Sequence, residues 1–242
     1  MQTIWKTPEI EYPLLFEDML NQPHLLIAGA TGSGKSVVIN GLMYTALTHS
    51  PAKVRFVLID PKRVELAVYK RLPHTLRYAS EPADLVHALE FAMTETDRRY
   101  QSMQWNKIKR WNGPELYVVI DELADLMTTN RKQIQPLIQR LCQVGRAAGV
   151  HVIAATQCPI AAVIPTPIKV NFDARVGLRT RCAQDSRNIL GTTGCERLPR
   201  YGEGYYMTPE AFDRWDIPYI KDAQIEALVT WWMRNKPKRK WF

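Results

Sequence analysis

The sequence predicts an α/β fold, a mainly parallel central sheet flanked by helices. Short apolar runs alternate with helical patterns along the chain, the order that builds parallel sheets. Val118-Val119-Ile120 and Val152-Ile153-Ala154 are continuously apolar, as in strands covered on both faces. A glycine-rich loop, Gly29-Ala30-Thr31-Gly32-Ser33-Gly34-Lys35-Ser36, joins one apolar run to one helical pattern.

Residues 1–22 contain Pro8 and Pro13 and read as a short extended arm. The domain proper is expected over 23–233. Its strands are predicted at His24–Ala28, Val54–Asp60, Leu116–Asp121, His151–Thr156 and Ala174–Arg179. The helices between them are predicted at Lys35–Thr48, Ala83–Met103 and Gln133–Ala147, the last stopped by Gly149 as its C′ residue. A strand at Gly204–Met207 and a helix at Ala223–Met233 complete the fold. Residues 234–242 form a basic tail, read as a solvated end.

A chain of 242 residues, 46% hydrophobic, suits one domain with a real core and excludes a disordered or fibrous class. No run approaches the ~18 apolar residues that span a bilayer, and the N-terminus lacks a signal-peptide core. A cytoplasmic location is expected. The four cysteines (Cys142, Cys158, Cys182, Cys195) form no CxxC pair, so neither a zinc site nor a disulfide framework is indicated. The net charge of +8, from 32 Lys+Arg against 24 Asp+Glu, favours a polyanionic partner.

The pattern GxxxxGK[ST] is met in full by Gly29, Gly34, Lys35 and Ser36, after a strand and before a helix. Such a loop turns successive N–H groups toward phosphates, and the following helix adds its positive end. ATP is the expected ligand: Lys35 reaches its β- and γ-phosphates and Ser36 ligates Mg²⁺. The run Leu116–Ile120 ends in Asp121-Glu122, the Walker B pattern. Asp121 holds Mg²⁺ through its water shell, and Glu122 orients and deprotonates the attacking water. The alternative for Glu122 is the dipole-favoured first residue of a helix. The paired carboxylates argue against a small-molecule kinase. Gln157 lies at the carboxyl end of a central strand, where ligands sit in open α/β sheets. By spacing alone, Arg146 is an ordinary partner of a helix C-terminus.

These blocks, with Ile59-Asp-Pro-Lys62, Arg98-Arg-Tyr100, Asp121–Met127, Gly145–His151, Ala155–Gln157 and Asp185-Ser-Arg187, resemble the motor domain of the FtsK/SpoIIIE family of double-stranded DNA translocases. The resemblance runs from about Pro23 to Trp232. It implies a RecA-like P-loop NTPase core that forms a homo-oligomeric, hexameric ring and pulls duplex DNA through its pore. It implies that Arg146 reaches the γ-phosphate of a neighbouring subunit and that Gln157 is the sensor glutamine, with Lys62 in a supporting role.

The stretch from Cys158 to Arg187 matches the part of the family that carries the DNA-touching loops, and here the sequence departs. Cys158 stands where the family often has arginine, and Ala183 where it often has lysine. Arg187 is kept, and Arg179 and Arg181 supply nearby charge for nonspecific backbone contacts. Without the family's membrane region or winged helix, the chain reads as a minimal motor for DNA transfer, packaging or mobilisation of a phage or mobile element. The competing readings are a ring ATPase whose cargo is protein, as in secretion systems, and a nucleotide-gated assembly protein that hardly hydrolyses ATP.

Overall fold

The computed structural model describes residues 14–236. Helix α1 (Leu14–Asn21), strand β1 (His24–Ala28) and helix α2 (Lys35–Ala46) come first. Strands β2 (Val54–Ile59) and β3 (Thr75–Ala79) follow, then helix α3 (Pro82–Trp105), β4 (Glu115–Ile120) and α4 (Leu123–Val144). Strand β5 (Val150–Thr156) leads to the single turn α5 (Thr166–Lys169), β6 (Ala174–Gly177) and α6 (Ala183–Leu190). The hairpin β7 (Glu203–Met207) and β8 (Phe212–Asp216) precedes α7 (Asp222–Arg234).

The strands form one sheet in the order β3-β2-β4-β5-β1-β6-β7-β8. All pairs from β3 to β6 are parallel, and only β7 and β8 run against their neighbours. The expected α/β architecture is therefore present. β1 sits between β5 and β6, with Leu25 beside Ile153 on one side and Ala174 on the other. Its α2 packs on one face, where Phe16, Leu42, Phe56, Val119 and Trp232 make one core. Helices α3 and α4 cover the other face around Leu89, Val118, Leu126, Ile138 and Val152. Helices on opposite faces leave the carboxyl ends of β1, β4 and β5 open together, which is where α/β sheets hold ligands.

Six elements differ from expectation, and two of them, the turn α5 and the helix α6, are additions between the expected strands. Residues 14–21 are helical rather than extended: Leu15, Phe16, Met19 and Leu20 form an apolar stripe against α2, and Phe16 lies so close over Gly41 that no Cβ fits there. Residues 1–13 of the expected arm, and 237–242 of the expected tail, lie outside the described residues. α4 starts at Leu123 instead of Gln133 and leaves helical geometry at Asn130 (φ −155°, ψ 67°). There Asn130 Oδ1 accepts from Gln133 N at 3.4 Å and caps a second segment that contains Pro136. The sequence pattern registered that second segment alone. Strands β3 and β8 are additions at the two sheet edges; apart from the buried Ala79 their residues are half-exposed or exposed and carry no continuous apolar run. The remaining strand boundaries agree to within about two residues, the expected uncertainty of element ends.

Candidate functional site

The glycine-rich loop spans the gap between β1 and α2 and is pinned by its backbone. Gly29 N donates to Thr156 O at 3.3 Å, Ala30 N to Arg179 O at 2.8 Å and Ser33 N to Ala30 O at 3.1 Å. Lys35, only 4% exposed, turns back under the loop. Its Nζ donates to Asp121 O at 2.7 Å and pairs with Asp121 Oδ1 at 2.5 Å. The other carboxylate oxygen, Asp121 Oδ2, is buried with no hydrogen-bond partner. Ser36 Oγ, one residue along, donates to Glu65 Oε1.

That donor set fits Mg²⁺ with a nucleotide. An orphaned buried carboxylate oxygen and a serine hydroxyl face a loop of N–H donors, which needs an anion to complete the charge balance. Among the described residues no group of three or more His, Cys, Asp or Glu is placed to hold a metal alone. Mg²⁺ suits this, because it binds through one or two protein oxygens together with substrate phosphates.

Glu122, 2% exposed, is the most heavily engaged side chain of the cleft. It accepts from Thr156 Oγ1 at 2.7 Å, from Gln157 N at 3.1 and 3.3 Å, and from Lys62 Nζ at 3.2 Å. It also accepts from Ala124 N at 3.4 Å as the N-cap of α4. One carboxylate thus caps α4 and is held at the cleft by contacts from β5, from the residue after it and from Lys62. Burial alone would lower the Lys62 pKa, but Glu122 and Asp125 beside it reverse the sign and hold it above the ordinary lysine value. Gln157 Oε1 accepts from Thr31 Oγ1 at 2.9 Å, so the amide at the end of β5 touches the phosphate loop directly.

Arg146 lies elsewhere. It opens a single 3₁₀ turn, Arg146–Ala148, that follows α4 and ends at Gly149 (φ 62°). That left-handed conformation favours glycine, and it starts β5 at the amino end of the sheet. The five-residue β1 separates that end from the loop by roughly 16 Å at ~3.3 Å per residue. Arg146 is exposed there and cannot reach its own chain's Lys35. The turn beneath it is built with care. Arg99, 2% exposed, donates Nη1–H to Ala148 O at 2.9 Å and Gly149 O at 2.7 Å, and its guanidinium lies 4.9 Å over Trp111. Tyr100 donates to Val144 O at 2.7 Å, and Trp111 N to Ala147 O at 2.9 Å.

The three arginines expected to touch DNA are all exposed. Arg179 follows β6, where its carbonyl holds the phosphate loop. Arg181 lines the nucleotide cleft with Thr31, Lys62, Glu122 and Gln157. Arg187 sits on α6. Sequence reasoning named Thr31 only as part of the loop, and it missed Glu65, the hydroxyl of Thr156 and the contacts made by Arg99 and Tyr100. The last two lay inside a block already singled out, Arg98-Arg-Tyr100.

A phosphate loop, a buried lysine and a strand ending in Asp-Glu, gathered at the carboxyl edge of a parallel sheet, define a P-loop ATPase. The sequence matches the FtsK/SpoIIIE family over residues 7–115 and 109–161, and the chain belongs to that family. It is 35% identical over 260 residues to the DNA translocase FtsK of Rickettsia typhi, covering 89% of this chain and 35% of that protein. It therefore spans about a third of the length of that relative. Among solved structures, the cytoplasmic domain of the type VII secretion ATPase EccC of Thermomonospora curvata aligns with a TM-score of 0.73 at 26% identity, over 87% of this chain and 28% of that one. The pCW3 conjugation coupling protein TcpA, as a monomer with ATPγS, aligns with a TM-score of 0.78 at 24% identity, over 91% and 66% of the two chains, and shares the fold. Among the described residues no helix is long and apolar enough to cross a membrane.

Proposed function

We propose that this chain is the motor of an ATP-driven translocase of double-stranded DNA, working in the cytoplasm as a homo-oligomeric, hexameric ring. The observation that carries the reading is the division of the site. The glycine-rich loop, Lys35, Asp121, Glu122 and Gln157 share one cleft, while Arg146 is presented on an exposed turn at the opposite end of the sheet. A neighbouring copy placed over that turn would receive Arg146 at its own γ-phosphate, and an arginine supplied in this way is worth about 10³–10⁵ in turnover.

Mg²⁺ and ATP, when bound, supply the phosphoryl group and the neutralisation of its charge. The chain's residues do the rest. Lys35 leaves Asp121 for the phosphates, Asp121 and Ser36 hold the metal side, and Glu122 takes the proton of the attacking water. Thr156 and the Gln157 backbone keep Glu122 aimed, while Gln157 relays the state of the loop through Thr31. Arg179, Arg181 and Arg187 are proposed contacts to the DNA backbone. The deciding experiment measures ATP hydrolysis with and without duplex DNA at low salt for the wild type and Arg146→Ala. Stimulation by duplex, lost in the variant, is expected; a wild type indifferent to duplex would sink the proposal.

A second reading, a ring ATPase with protein cargo, is favoured by the likeness to EccC and by Cys158 and Ala183 at positions where a DNA motor of this family often carries charge. Duplex binding across a salt series separates the two, since phosphate contacts must weaken steeply as salt rises.

A further inference from the structure

The loop before β7 brings a cation over the phosphate loop that the motifs do not include. Gly32 has φ 72°, a conformation that favours glycine, and a methyl group built on it would lie 3.4 Å from Arg200 Nη2, 3.7 Å from Nε and 4.0 Å from Cζ. The Arg200 guanidinium thus lies across the backbone of the loop. It is exposed, and its recorded contact is the ring of Tyr201, 5.2 Å from Cζ. No carboxylate or carbonyl engages it among the described residues.

On the protein's own charges alone this placement is electrostatically unfavourable. The loop's N–H groups and the start of α2 present positive potential. Lys35 is neutralised by Asp121, whereas Arg200 faces the same field with no acid of its own. A polyphosphate reverses the sign of that interaction.

The sheet order also sets the side from which each group approaches the loop. Asp121 and Gln157 end β4 and β5, on one side of β1, and these residues define the hydrolytic side of the cleft. Arg200 enters from the other side, ahead of β7. We propose that Arg200 is a nucleotide-binding residue of the same chain, bonding the non-transferred α- and β-phosphate oxygens and leaving the γ-phosphate to Lys35. The assignment rests on the nucleotide site and not on ring assembly or DNA.

Such a contact strengthens ATP and ADP binding alike and leaves the chemical step alone. The experiment titrates a fluorescent ADP and ATPγS, both with Mg²⁺, into wild type, Arg200→Ala, Arg200→Lys and Lys35→Ala. Loss of one charge-assisted contact is expected to weaken both nucleotides ~10-fold in Arg200→Ala, with most of the affinity kept in Arg200→Lys. KM for ATP should rise by a similar factor with kcat within about twofold, the signature of uniform binding. If the wild type binds and Arg200→Ala binds equally well, the assignment is wrong while the nucleotide site stands. If the variant loses duplex affinity instead, Arg200 is a DNA contact and the assignment is equally wrong. A wild type that binds neither nucleotide overturns the site and this inference together.

Discussion

Replacing Glu122 with glutamine separates its two jobs, because the amide keeps the shape and loses the charge. Glutamine Oε1 can still accept from Thr156 Oγ1, now at 2.7 Å, and from Gln157 N, now at 3.1 Å. The amide NH₂ replaces the oxygen that faces Lys62 Nζ at 3.2 Å. Lys62 is 41% exposed and lies 4.0 Å from Asp125, so its ammonium turns to water or to that acid. The folding cost is then that of one half-exposed ion pair, about 1 kcal/mol or less. The chemical cost is far larger: a positioned base contributes roughly 10²–10⁴ in rate, or ~3–5 kcal/mol of barrier. Glu122→Gln should therefore bind ATP with near wild-type affinity, melt close to wild type, and fall at least ~100-fold in single-turnover hydrolysis. Single-turnover phosphate release and nucleotide titration, run on the same preparation, make the comparison. Turnover within about threefold of wild type, at unchanged affinity, would show that Glu122 is only the cap of α4 and refute the base assignment.

The other predictions concern assembly, the turn and pH. Arg146→Ala should bind nucleotide normally and hydrolyse little, yet regain activity when mixed with Glu122→Gln, since each supplies what the other lacks across an interface; no recovery in mixtures would argue against a finger acting between subunits. Arg99→Met removes two buried hydrogen bonds to Ala148 O and Gly149 O and should cost ~3 kcal/mol in denaturant unfolding. Nucleotide affinity should survive that change while duplex-stimulated turnover falls. Burial pushes His24 and His74 from the ordinary 6.5 down to about 4, helped by the charges of His151 and Arg55 respectively. The unfolded chain then binds more protons than the native one between those values, so stability is full above pH 6.5 and falls toward pH 4, by as much as ~3 kcal/mol per histidine. Urea unfolding at neutral pH and near pH 5 tests it; equal midpoints would refute it, and His24→Gln should flatten the difference.

The phosphate loop and the Asp121-Glu122 strand were legible because their chemistry is local: neighbours in sequence are neighbours in space, and each motif sits on a strand end. Helix α1 was not, because Pro8 and Pro13 outweighed the pattern of Leu15, Phe16, Met19 and Leu20, whose burial depends on Gly41 leaving room for Phe16. The first half of α4 was hidden by Thr128-Thr129-Asn130, poor helix formers whose hydroxyls bond back to the Ala124 and Asp125 carbonyls at 2.8 Å. Edge strands β3 and β8 escaped because strands with one partner need no continuous apolar run. The site's remaining members are long-range. Glu65 meets Ser36 across the loop after β2, Arg99 supports Arg146 from another helix, and Arg200 reaches Gly32 from the far side of the sheet. No spacing rule contains such pairs, since only the strand order brings them together.

Strand β5 gives the division of the site its mechanical sense. The turn bearing Arg146 precedes it and Thr156-Gln157 end it, so the residue offered to a neighbour and the residue that touches the chain's own phosphate loop share one element. Every residue of β5 is buried, and it is paired in register with β1 on one side and β4 on the other. A strand held in this way does not stretch or slip, because a one-residue slip would turn all its side chains to the wrong face. A change at Gln157 therefore reaches Arg146 as movement of the whole sheet or not at all. In the proposed ring, only movement of the sheet as a whole would carry one subunit's nucleotide state to the Arg146 it offers the next.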